Sequence, residues 1–181
     1  CLIASAGGGG KTTVGQGLAA RLGVPFYELD ALHHGPNWAE PPLEEFRARV
    51  EAIANSDEWV IDGTYRGKIG DVVPAAADLV IWLDLPTRVW LPRLLQRTAR
   101  RVLRREELWS GNRERWRDVL HPRNSVVVHA LRTHRKTRRT LEAELISFTV
   151  ARVRTPSEVD ELVEAVATRS SPPTRLADGA S

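Results

Sequence analysis

The chain has 181 residues, of which 42% are hydrophobic and 27% charged, a composition that fits one globular domain with a sizeable core and excludes a fibrous or low-complexity chain. No apolar run approaches the ~20 residues of a membrane span and no signal-peptide pattern opens the chain, so no membrane partner and no secretory leader is expected. The net charge is only +3, but residues 88–139 hold sixteen Lys/Arg against four Asp/Glu, which implies an anionic partner, nucleotide phosphate or nucleic acid, or else an arginine-rich solvated surface.

The single cysteine, Cys1, excludes an internal disulfide framework and suits a reducing, cytoplasmic setting. There is no methionine, and the first strand is short, so further sequence is expected ahead of Cys1.

Cys1-Leu2-Ile3-Ala4 reads as that strand, and residues 12–22 read as a helix ending at Gly23. Between them, Gly7, Gly8, Gly9 and Gly10 let the backbone curl so that several N–H groups face one centre. At a helix N-terminus this makes a nest for a di- or triphosphate. Lys11 is placed to reach the β- and γ-phosphates, the Thr12 hydroxyl to ligate Mg²⁺, and Thr13 beside them to contact the nucleotide. The pattern is G-x-x-x-x-G-K-[ST], except that Ser5 stands where the first glycine is expected. The other reading is a flexible glycine-rich linker that happens to precede a lysine.

A second strand is predicted over 25–29, closing at Asp30, and His33-His34-Gly35-Pro36-Asn37-Trp38 reads as a loop. Leu43, Phe46, Val50 and Ile53 recur at helical spacing. A short buried strand, 59–61, runs into Asp62-Gly63, and the continuous apolar run 79–83, ending at Asp84, has the character of a strand covered on both faces. A long basic helix follows from Thr87, with Pro92 kinking it or marking its start. Asn112 is expected to cap a short helix reaching about Leu120. Helix 125–143, strand 148–153 and a helix from about 156 to 166, opened by the capping box Thr155-Pro156-Ser157-Glu158, complete the domain. Residues 169–181 read as a disordered tail after a domain of 1–168.

Five strands alternating with helices predict a three-layer α/β/α fold on a parallel sheet, with phosphate bound beyond the carboxyl ends of the strands. Asp30, Asp62 and Asp84 should all project toward that edge.

Asp62-Gly63-Thr64-Tyr65-Arg66 resembles the D-G-x-x-R element of adenylate kinases and related nucleoside monophosphate kinases. Leu83-Asp84-Leu85-Pro86 followed by Arg93-Leu94-Leu95-Gln96-Arg97 resembles their fourth-strand exit and R-x-x-x-R helix. The order of these motifs over residues 1–166 is most similar to the adenylate-kinase-like subgroup known as DNA topology modulation proteins. The resemblance implies a P-loop kinase with a short, arginine-rich lid at about 100–123, in which Arg113, Arg115 and Arg117 are candidate arginine fingers. It implies a water-mediated Mg²⁺ contact for Asp62, an acceptor-phosphate contact for Arg66, and stacking on the donor purine or phosphate contact for Arg93 and Arg97. Asp30 lies where related small-molecule kinases place an acceptor-binding carboxylate, as base or as positioning group. Each has an ordinary alternative: an Asp-Gly turn for Asp62, a helix cap for Asp30, a solvated surface for the arginines. Asp84 reads as an anion at a helix N-terminus.

The expected function is therefore an ATP- and Mg²⁺-dependent phosphotransferase acting on a small acceptor that no motif identifies. A nucleotide-binding regulatory protein that binds DNA non-specifically, and a plain NTP hydrolase, are the alternatives.

Overall fold

The computed structural model describes residues 1–113 and 125–170. Five strands, β1 (Leu2–Ala4), β2 (Phe26–Glu28), β3 (Val60–Asp62), β4 (Val80–Leu83) and β5 (Val150–Val153), form one parallel sheet in the order β2-β3-β1-β4-β5. Eight α-helices alternate with them among the described residues: α1 (Lys11–Leu22), α2 (Leu29–His33), α3 (Leu43–Ala54), α4 (Arg66–Ile69), α5 (Val72–Ala76), α6 (Thr87–Leu103), α7 (Val126–Glu144) and α8 (Pro156–Ser170).

Strand side chains alternate between the two faces, so each face needs its own cover. Leu2, Val60, Ile81 and Val153 pack against Leu18 and Ala19 of α1 and Val159 and Val163 of α8. On the opposite face Ile61 packs under Phe46 and Val50 of α3, Ile69 of α4 and Val73 of α5. There too, Ile3, Val80 and Trp82 meet Leu141 of α7. The three layers anticipated from the alternation are present.

The helix ends follow local chemistry. Gly23, at φ 72°, closes α1, and the Ser125 hydroxyl accepts from the Val128 N–H to open α7. Thr155 caps α8 by accepting from the Glu158 N–H at 3.2 Å. The Glu158 carboxylate reaches back to the Arg154 N–H at 2.7 Å, one residue ahead of the usual capping-box partner.

Several boundaries differ from the sequence reading. Strand β2 stops at Glu28, because Leu29 is fully buried as the first residue of α2. Asp30 therefore sits in a helical turn, not at a strand end. Helix α6 starts at Thr87 and carries Pro92 inside it. The segment expected to be a helix capped by Asn112 falls largely at 114–124, outside the described residues, as do Arg115, Arg117 and most of the tail. Asn112 is buried and ties loops together instead: its side chain donates to the carbonyls of Gly35 and Trp109 and accepts from the Trp38 N–H.

The connection after β1 leaves toward β2, whereas that after β4 leaves toward β5. The switch point lies between β1 and β4, and the glycine-rich loop leaves β1 there.

Candidate nucleotide site

The loop between β1 and α1 is held against α6. Gly8 has φ +82°, and a Cβ built on it would lie 2.7 Å from the Trp90 carbonyl oxygen and 2.8 Å from the Leu94 Cβ. Both the conformation and the space demand glycine. Gly8→Ala is expected to cost about 2–5 kcal/mol of stability, from the left-handed backbone and the overpacking together. Gly17→Ala is the internal control: nothing lies within 4 Å of its Cβ position on α1, so stability should rise by about 0.5–1 kcal/mol. Chemical denaturation of the two variants checks both signs.

Ser5, the departure from the loop pattern, is not strained into a glycine conformation. It is buried, and its hydroxyl accepts from the Trp82 indole N–H and donates to Asp84, both at 2.9 Å. A glycine there could not make either bond. Asp84 in turn accepts from Arg152 at 2.6 and 3.0 Å and pairs with Arg138 at 3.0 Å. It does not project to the cavity edge as expected, nor does it cap α6. It anchors the loop's first residue to β5 and α7.

Beyond the strand ends lies a cavity of about 820 Å³ whose floor is the loop from Gly7 to Thr13. Arg93, Arg97, Arg100 and Arg101 line one wall, spaced so that they share one face of α6. Glu28, Trp109 and Glu107 form a second wall, and Leu85, Pro156, Val159 and Asp160 a third. Five cations among these residues, counting Lys11, face three carboxylates.

At the foot of α1, the Lys11 ammonium lies 3.3 Å from Asp62 Oδ1, and the Thr12 hydroxyl donates to Asp62 Oδ2 at 2.7 Å. Glu28 Oε1 is 3.3 Å from the same hydroxyl, and Glu28 Oε2 accepts from the Trp109 indole N–H at 3.0 Å. A hydroxyl and carboxylates make an all-oxygen donor set of the kind a hard divalent cation takes. Glu28 and Trp109 were not singled out from the sequence. Glu28 comes to this edge by pairing with Asp62 across β2 and β3, and Trp109 by its hydrogen bond to Glu28.

The other expected site residues lie elsewhere. Asp30 accepts from the Tyr65 hydroxyl at 2.6 Å and is not on the cavity wall. Burial first, and then the hydrogen bond to Asp30, push the Tyr65 hydroxyl's pKa far up, so Tyr65 stays protonated and donates to Asp30. Arg66 is not on the cavity wall; it is paired with Asp71 and, at 2.9 Å, with Glu144, and lies over the Phe148 ring. Tyr65, in the left-handed region at φ 47°, turns the chain into α4. Arg113 is exposed and lies 3.3 Å from Glu107, one step outside the cavity wall.

His33 is buried between Phe46 and Tyr65, with the Lys68 ammonium 2.7 Å from Nε2. Burial, and next the Lys68 charge, hold its pKa below the ordinary 6.5 against the opposing pull of Glu40. The unfolded chain thus takes up this proton at a higher pH than the folded one. Stability from His33 is present above about pH 6.5 and is lost as the pH falls below it. Melting temperatures from pH 7.5 to 5.5 should decline, and the decline should be shallower in His33→Gln.

No helix among the described residues is long and apolar enough to cross a membrane. Set against models of protein families, against curated proteins and against solved structures, the chain matches none of them.

Proposed function

We propose that the chain is an ATP- and Mg²⁺-dependent phosphotransferase of the adenylate-kinase-like kind, moving a γ-phosphoryl group to a small acceptor. One observation carries the reading. A glycine-rich loop opens a helix whose first two side chains, Lys11 and Thr12, both contact a buried carboxylate, Asp62, beneath a cavity walled by arginines.

Phosphoryl transfer asks a protein mainly to position its reactants and neutralise oxygens. Backbone N–H groups from Gly7 to Thr13 are suited to the polyphosphate. Thr12 and Asp62 would hold Mg²⁺, which neutralises charge on the phosphate oxygens and templates their geometry. Lys11 is parked on Asp62 and is free to exchange that partner for the β- and γ-phosphates. The planar guanidinium groups of Arg93 and Arg97 suit bidentate phosphate contact or stacking on a base, which lysine does poorly. Arg100 and Arg101 extend the same positive face. The segment after α6 covers the opening: Trp109 leans on Glu28, Ser110 donates to the His34 carbonyl at 2.8 Å, and Asn112 joins it to the loop at 35–38. A cover of that kind keeps water from the transferring phosphoryl group.

Release of ADP from Mg·ATP, followed with and without a panel of hydroxyl and phosphate acceptors, tests the proposal. Acceptor-dependent release supports it. Release at the same rate without any acceptor would assign an NTP hydrolase. No release, with DNA affinity falling steeply and linearly in log salt, would assign the regulatory DNA-binding alternative.

A further inference from the structure

Resting on the proposed function, we infer that Glu28 is a second anionic residue of the Mg²⁺ site, held in place for that task by the Trp109 indole. Glu28 and Asp62 are register partners at the carboxyl ends of adjacent parallel strands, so their side chains leave the sheet on the same side. That side is where Thr12 opens α1.

The distances have the scale a cation requires. Oxygens bound to an octahedral Mg²⁺ at 2.0–2.1 Å lie about 3 Å from their neighbours along an octahedron edge. Asp62 Oδ2 and Glu28 Oε1 lie 2.7 and 3.3 Å from the Thr12 hydroxyl oxygen, one on either side of that value. The Thr12 hydroxyl has one proton and two carboxylate oxygens within reach, so one of those approaches has no hydrogen to share. Among the described residues the ammonium at this corner is that of Lys11, 3.3 Å from Asp62. Once Lys11 turns to phosphate, two carboxylates and a polyphosphate crowd one corner, with the α6 arginines on the facing wall. A divalent cation resolves that conflict. The Trp109 N–H fixes Oε2 of Glu28 at 3.0 Å, which leaves Oε1 aimed at Thr12. Trp109 is thus a positioning residue contributed by the covering segment.

The test is binding of a non-hydrolysable ATP analogue, measured by calorimetry over a Mg²⁺ series, in the parent chain and in Glu28→Gln. The amide keeps the size of the side chain and the acceptor for Trp109 but removes the charge. The Mg²⁺ concentration for half-maximal enhancement should rise on the order of tenfold, a typical loss for groups that orient a metal's ligands. Affinity without metal should be unchanged or tighter, because a carboxylate no longer repels the phosphates. Glu28→Asp retains the charge at shorter reach; it should shift the midpoint in the same direction by a smaller factor, and serves if the amide variant does not fold. An unchanged midpoint, or an equal loss of affinity with and without Mg²⁺, overturns the inference alone. A parent chain that binds no nucleotide overturns the proposed function along with it.

Discussion

Lys11→Ala is expected to lower ADP release from Mg·ATP by at least two to three orders of magnitude while leaving the fold intact. Removing a single donor that stabilises developing charge in a water-excluded site has an effect of that size. Lys11 is the lysine that lines the cavity, at the end of the glycine-rich loop and 3.3 Å from Asp62, and no second ammonium in the cavity wall can replace it. Its side chain is about 29% exposed, so truncation leaves a partly solvated corner and not a cavity in the core. Turnover measured beside far-ultraviolet circular dichroism checks both halves of the expectation. Unchanged turnover in a folded variant would remove the glycine-rich loop from the proposed mechanism.

Asp84→Ala should cost about 2–4 kcal/mol of stability, because it strips the buried Ser5 hydroxyl of its acceptor and removes a charged hydrogen bond from Arg152, which is 22% exposed. The carboxylate is 2% exposed and joins four partners from different elements: Ser5 at the loop, Arg152 on β5 and Arg138 on α7 directly, and Trp82 through the Ser5 hydroxyl. Without it the Arg152 guanidinium stays 4.0 Å over the Trp82 ring, with Glu142 as its remaining carboxylate. Arg138 is nearly half exposed and should lose little on its own. Chemical denaturation reads the loss directly. Because Ser5 begins the glycine-rich loop proposed to bind phosphate, nucleotide affinity should weaken as well, whereas Arg138→Ala should leave stability within about 1 kcal/mol.

The parts legible in the sequence were those written contiguously. Gly10-Lys11-Thr12 after a strand defines its own geometry, and the run at 80–83 announces a strand buried on both faces. Where a site is completed by long-range pairing, the sequence is silent. Leu29 continues an apolar pattern and conceals the end of β2, so Asp30 looked like the terminal carboxylate although Glu28 holds that position. Arg66 follows an Asp-Gly element that points to phosphate, yet its guanidinium is drawn to Glu144, 78 residues away. Trp109, Ser110 and Asn112 meet Glu28 and the loop at 34–38 across separations of 74 to 81 residues, through contacts that leave no periodic trace. Ser5 looked like a defect in a motif; its burial between Trp82 and Asp84 makes it a joint.

The most direct test is the melting temperature of the purified chain with ATP at about one hundred times its dissociation constant, with and without Mg²⁺. Stabilisation of about 2.7 kcal/mol is expected with the metal present, and a much smaller gain when it is chelated. No shift with any purine nucleoside triphosphate in the presence of Mg²⁺ would contradict the proposed function.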